Sequence, residues 1–247
     1  MKLIFLGTTG YHPSDRRHTA CLMVPELGIV FDAGTGFYRV REHIRTTSLD
    51  IYLTHAHLDH SFGLTFLFDV LHQRKVQQVQ VHAEAEKLKA IEEHLFSPLL
   101  FPVKPPCDFR PLVGRSRETK QGAFVRWFPL DHPGGSLGYR LDHEGRSVAY
   151  VTDTTATHSP LVSVEHPRRG RLDSRVLFPG WVRGRAALTG HSCATPVAEV
   201  RQDCGAKRLY IVHIDPMESP ERRIDLDSMR RIFPETYTAE DGLEIEI

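Results

Sequence analysis

Apolar and polar positions along the 247 residues fall into short runs of two kinds. Leu49, Ile51 and Leu53 alternate with Asp50, Tyr52 and Thr54, the period of two that a β-strand imposes. Phe62, Phe66 and Val70 then follow at helical spacing, and residues 84–96 predict an amphipathic helix. Residues 2–6 form a short apolar strand ending at Gly7, and residues 79–82 form another. Residues 20–24 and 28–31 flank Pro25-Glu26-Leu27 and predict a hairpin. A second hairpin is expected from residues 137–141 and 147–151, with turn chemistry supplied by Asp142-His143-Glu144-Gly145. A late strand at 208–212 is preceded by a helix starting near Pro196. Residues 97–111 hold five of the sixteen prolines and are expected to be irregular. Strands alternate with helices, which predicts an α/β chain forming one domain over 1–247.

Composition narrows the picture only a little. Hydrophobic residues make up 40% and charged residues 25%, ordinary values for a globular protein. Lys plus Arg and Asp plus Glu both number 31, so net charge gives no reason to expect nucleic-acid or membrane binding. The one dense basic run is Arg168-Arg169-Gly170-Arg171. Cys21, Cys107, Cys193 and Cys204 are scattered and read as reduced thiols. The apolar run before Gly7 is too short for a signal-peptide core, and nothing approaches the ~20 apolar residues of a membrane span. These features predict a soluble, cytoplasmic protein.

Fifteen histidines are many for this length, and they are not evenly spread. Thr54-His55-Ala56-His57-Leu58-Asp59-His60 puts four candidate metal ligands between a strand and a helix. One tetrahedral ion cannot take all four without strain. A strand end turning into a helix can aim His55 and His57 one way and Asp59 and His60 another, which suits two ions about 3.5–4 Å apart. Asp32 and His213 each follow an apolar strand directly. Asp153 closes the second strand of the 137–151 hairpin, and His132 stands just before the first. Antiparallel pairing brings those two to the same end, opposite the turn. Strand ends on one edge are where α/β proteins build sites.

The string His55-x-His57-x-Asp59-His60 resembles the signature of the metallo-β-lactamase superfamily. Asp32 in Phe31-Asp32-Ala33-Gly34-Thr35-Gly36, His132 in Leu130-Asp131-His132-Pro133, Asp153 in Thr152-Asp153-Thr154 and His213 in Val212-His213-Ile214 are similar to its other motifs, in order. The resemblance runs from Lys2 to about Pro216 and implies a four-layer αββα sandwich. It further implies that His55, His57 and His132 hold one metal, that Asp59, His60 and His213 hold a second, and that Asp153 bridges them. Asp32 is implied to orient the metal-site loop. Nitrogen and carboxylate ligands without thiolate suit two divalent ions, zinc first, with manganese or iron as alternatives. The flavo-diiron branch carries glutamate where His57 stands here.

His132-Pro133-Gly134-Gly135-Ser136-Leu137-Gly138-Tyr139-Arg140 resembles the corresponding region of the branch containing ribonuclease Z and related small phosphodiesterases. Gly190-His191-Ser192, ahead of the helix at Pro196, resembles that branch's histidine near the scissile phosphate. The helix start there favours an anion. The chain also departs from ribonuclease Z. Leu177-Phe178-Pro179-Gly180 stands where a His-Glu pair is expected, and the glycine-rich arm that grips tRNA is not visible. The expected activity is therefore metal-dependent hydrolysis of a small or cyclic phosphodiester. Asp59, His191 and Asp32 are the expected catalytic residues, Asp59 also serving as a ligand. Alternatives are hydrolysis of a lactone or thioester, tRNA 3′ processing, and a metal-binding regulatory protein without turnover. The expected partner is a small phosphoester. Nucleic acid is not favoured, and a homodimer stays open.

Overall fold

A computed structural model describes residues 1–154, 173–179, 207–217 and 224–247. These fall into two compact units, one of Met1–Gly114 with Glu240–Glu246, the other of Arg115–Ala239 with Ile247. The helix expected near Pro196, the basic run at 168–171 and His191 lie outside the described residues.

The first unit is built on a seven-stranded sheet: β1 (Lys2–Gly7), β2 (Cys21–Val24), β3 (Ile29–Phe31), β4 (Ser48–Tyr52), β5 (Gln78–Ala83), β6 (Asp108–Pro111) and β14 (Glu244–Glu246). Its order is β14-β1-β2-β3-β4-β5-β6. The expected hairpin is present as β2 and β3, antiparallel with Met23 opposite Val30. A single 3-10 turn, Pro25–Leu27, joins them, and the left-handed Gly28 (φ 62) ends that turn. From β3 to β6 all pairs are parallel, so the carboxyl ends of β3, β4 and β5 share one edge.

Leu49, Ile51, Val79 and Val81 point from one face of β4 and β5 into a buried core with Leu64, Leu67, Val70, Leu88 and Ile91. That face is covered by the segments read as helical. They are fragmented into Leu58–Ser61, a 3-10 stretch Phe62–Phe66 and Leu67–Leu71, then Ala85–Ala90 continued by a π turn Ile91–Leu95. The proline-rich stretch 97–111 departs from expectation at its end, where β6 pairs with β5. β6 is an outermost strand, and an outermost strand tolerates Pro111.

The second unit holds the other seven-stranded sheet: β7 (Ser116–Glu118), β8 (Phe124–Leu130), β9 (Ser136–His143), β10 (Arg146–Tyr150), β11 (Asp173–Pro179), β12 (Arg208–Val212) and β13 (Thr236–Thr238). They run in the order β13-β12-β11-β10-β9-β8-β7. The expected hairpin at 137–151 is β9 and β10, with Tyr139 opposite Tyr150 and Arg146 opposite His143. Its two connecting residues, Glu144 (φ 48) and Gly145 (φ 76), are both left-handed, as the tightest hairpin turn requires. β10, β11, β12 and β13 are parallel neighbours. β8 carries Pro129, which is tolerated because β7 pairs only with Phe124–Arg126 and leaves that side of Pro129 uncovered by β7. Helix Leu226–Ile232, capped by the Asp225 carboxylate on the Ser228 amide, buries Met229 with Leu209, Ile211, Ile214, Val151 and Phe128. Among the described residues, no helix is long and apolar enough to cross a membrane.

Candidate metal centre

In the first unit, β4 ends at Tyr52, and the chain continues through Thr54 and His55 into the short helix Leu58–Ser61. His55 and His60 are buried, Asp59 is half-buried and His57 is exposed. The ring of His55 lies 4.3 Å from that of His57 and 4.3 Å from that of His60, centroid to centroid. His55 and His57, His55 and His60, and Asp59 and His60 each offer ligand atoms within 4.8 Å of one another.

What sets this geometry is the carboxylate of Asp32, fully buried just past β3. Oδ1 accepts from the Thr54 amide at 2.7 Å, and Oδ2 lies 2.7 Å from His60 Nδ1. The Thr54 hydroxyl lies 3.0 Å from both carboxylate oxygens and 3.0 Å from His55 Nδ1. An ionised carboxylate only accepts, so His60 carries its proton on Nδ1. The single Thr54 hydroxyl proton goes to Asp32, so the same oxygen accepts from His55 Nδ1. One buried carboxylate therefore fixes both tautomers and leaves the ligand lone pairs on the Nε2 atoms, the usual way a histidine is prepared for a metal.

His60 Nε2 then faces Asp59 Oδ2 at 3.4 Å. Two lone-pair atoms opposed at that distance are stabilised by a cation between or beside them. Asp59 Oδ2 is itself anchored, accepting from the backbone amide of Tyr11 at 2.7 Å.

Close backbone packing holds the loop to Asp32. The Ala33 amide donates to the His60 carbonyl at 2.7 Å, and the Gly63 amide donates to the Ala33 carbonyl at 2.7 Å. A β-carbon on Gly34 would stand 2.2 Å from the Asp59 carbonyl oxygen, and one on Gly63 2.2 Å from the Gly34 carbonyl oxygen. Glycine at both positions is what lets the two turns touch.

The second unit repeats the pattern of strand ends. Asp153 lies just past β10 and His213 just past β12; β11 lies between these strands and all three are parallel, so both residues occupy one edge. His132 stands in the β8–β9 connection, at the end of β9 that pairs with the end of β10, as the hairpin reading expects. All three are buried. His213 Nε2 and Asp153 Oδ2 are 3.3 Å apart, and the Thr152 hydroxyl donates to the same oxygen at 2.6 Å. Asp32 (φ 57), Asp153 (φ 49) and His213 (φ 52) are left-handed although none is glycine, a conformation that concentrates at functional sites. Both units thus supply imidazoles and carboxylates, a donor set that fits zinc, manganese or iron. Thiolate does not compete in the described residues: burial pushes the Cys21 thiol well up, and burial, then Asp108 and Glu92, push Cys107 up to about 12. Sequence reading missed Thr54, Thr152 and Tyr11, which act on candidate ligands through a hydroxyl or a backbone amide. Only Thr54 and Thr152 left a trace in sequence, as neighbours of motif residues.

The family model described as the beta-lactamase superfamily domain matches residues 28–214, three quarters of the chain. The chain belongs to the metallo-β-lactamase superfamily. Its metallo-β-lactamase fold is shared along its whole length with a diphosphatase of the PhnP family, at TM-score 0.76 and 21% identity, covering 100% of this chain and 97% of that one. Zinc-bound PqqB from Methylobacterium extorquens superposes at TM-score 0.72 and 15% identity, covering 100% of both. Ribonuclease Z of Gemmatimonas aurantiaca is 26% identical over 303 aligned positions, covering 98% of this chain and 95% of the relative. The alignment is longer than this chain's 247 residues, so the relative carries stretches with no counterpart here. This member of the superfamily is a hydrolase, and the superfamily's fold implies divalent metal ions.

Asp32→Asn places an amide NH₂ within reach of His60 Nδ1, which favours the tautomer with its proton on Nε2 and blocks that ligand. Zinc affinity by chelator competition is expected to fall about 10- to 100-fold with the fold retained. Unchanged affinity would mean that Asp32 serves only the turn.

Proposed function

We propose that this chain is a dinuclear metal-dependent phosphodiesterase acting on a small or cyclic phosphodiester. The observation that carries this reading is the pair of histidines, His55 and His60, whose tautomers are both set by the buried Asp32. The likeness to the PhnP-family diphosphatase over the whole chain supports a small phosphoryl substrate. The two units are read as one metallo-β-lactamase domain over 1–247, because the family match runs through the boundary between them.

In this reading His55, His57 and His132 hold one ion, Asp59, His60 and His213 hold the other, and Asp153 serves both. Zinc is the preferred metal, supported by the zinc-bound neighbour. When bound, two divalent ions supply Lewis acidity toward the phosphoryl oxygens and an acidified water as nucleophile. The protein's part is to hold the ligands without rearrangement. Asp32 keeps His55 and His60 in the binding tautomer, the Tyr11 amide holds Asp59, and the Thr152 hydroxyl holds Asp153. His191 is assigned to the substrate end, where it protonates the leaving oxygen or positions the phosphate.

Processing of the tRNA 3′ end is the second reading, favoured by ribonuclease Z relatives matching nearly the whole chain. Two features favour the smaller substrate. No acid or base stands in Leu177-Phe178-Pro179-Gly180, and ribonuclease Z carries stretches absent here. Cleavage of precursor tRNA at rates above those for small diesters would reverse the order of the two readings.

Purified protein is expected to carry close to two divalent ions per chain by elemental analysis, and Asp153→Ala to lose at least one along with turnover. A full complement in Asp153→Ala would remove that residue from the ligand set.

His191→Ala is expected to slow diesters with alkoxide leaving groups by roughly 10²- to 10⁴-fold, the range of general acid catalysis. Diesters with a nitrophenolate leaving group, which departs without a proton, should suffer far less. Equal losses on both would assign His191 to phosphate positioning alone.

A further inference from the structure

The connection from β1 to β2 reaches the candidate ligands but has no part in the mechanism beyond one amide. It is an ordered excursion. The Thr9 amide donates to the His18 carbonyl at 3.0 Å, and Thr9 and Thr19 form a bridge at its base. Ser14 closes the tip, accepting from the amides of Arg16 and Arg17 at 3.4 and 3.2 Å and donating its own amide to the Arg17 carbonyl at 2.9 Å. Asp241, near β14, clamps the base. Its carboxylate accepts from the Thr8 hydroxyl, the His18 amide and the Arg39 guanidinium, each at 2.7 Å.

At the tip of this braced loop the Tyr11 amide donates to Asp59 Oδ2. That contact needs only backbone, and Tyr11 makes it in the left-handed region (φ 61), where glycine or asparagine would sit with less strain. The tyrosine ring does not repay the strain by burial, since Tyr11 is 76% exposed. Its ring centroid lies 5.4 Å from that of His12, the two planes inclined at 61°. An exposed aromatic ring is thus held on hydrogen-bonded backbone, one hydrogen bond from a candidate metal ligand, at a position where backbone chemistry alone disfavours it.

We propose that Tyr11 is a specificity-determining residue, an aromatic platform beside Asp59 that stacks on an aryl or nucleobase group of the substrate. The proposal rests on the phosphodiesterase reading for its substrate class. Stacking accepts any aromatic face, so it confers preference for an aromatic substituent and not for one base.

The test uses the full-length zinc-loaded protein and its Tyr11→Ala and Tyr11→Phe variants. Bis(p-nitrophenyl) phosphate and methyl p-nitrophenyl phosphate share a leaving group and differ in the group retained. Tyr11→Ala is expected to raise KM for the first by roughly 5- to 150-fold relative to the second, with metal content unchanged and Tyr11→Phe close to wild type. Calorimetric binding of thymidine monophosphate should weaken in Tyr11→Ala, while binding of inorganic phosphate should not. Equal effects on both diesters, or failure of Tyr11→Phe to restore KM, overturns the proposal. If the wild type hydrolyses neither diester, the phosphodiesterase reading fails. The binding comparison then decides Tyr11 alone: a thymidine preference lost in Tyr11→Ala sustains the platform, and no preference in the wild type overturns it.

Discussion

A buried carboxylate surrounded by donors is the constraint on which the first unit's site depends. Asp32 has no access to water, so its charge depends on buried donors, Thr54 and His60 among them. Those donors cannot be exchanged for others without moving the 54–60 loop. That loop is tied to residues 33–34 and Gly63 by backbone contacts too close for any side chain. The same bonds that make the charge tolerable therefore decide which nitrogen of each histidine faces away from the protein. Stability and ligand preparation are one interaction here.

The second unit solves the same problem with different parts. Asp153 and His213 take left-handed backbone immediately beyond parallel strands, and Thr152 supplies the hydroxyl that Thr54 supplies in the first unit. In both units the sheet ends where the polar residues begin. The apolar strands end and the backbone turns sharply, so the candidate ligands sit at the sheet edge, most of them buried, with Asp59 half-buried and His57 exposed.

Much of this was legible in sequence because it depends on local pattern. Alternation marks β4, turn chemistry marks the β9–β10 hairpin, and the ordered His and Asp motifs mark strand ends. Other parts were not legible, for physical reasons. β6 and β8 contain prolines that argue against a strand, and their tolerance depends on which neighbour is missing, a property of the sheet. β14 is three residues long and exists through pairing with β1. Tyr11 and Asp241 act through hydrogen bonds made across long sequence separations, and nothing in their local sequence marks them. Tyr11 is the clearest instance, since its contact with Asp59 uses an amide that every residue except proline possesses.

The central claim is that Asp32 prepares His55 and His60 as Nε2 ligands without touching the metal. A crystal structure of the zinc-loaded protein, at a resolution that fixes the ring orientations, tests it directly. The account predicts zinc on Nε2 of both histidines, with the Thr54 hydroxyl and the Asp32 carboxylate still bonded to their Nδ1 atoms. Zinc on Nδ1 of either ring, or on an oxygen of Asp32, would contradict it.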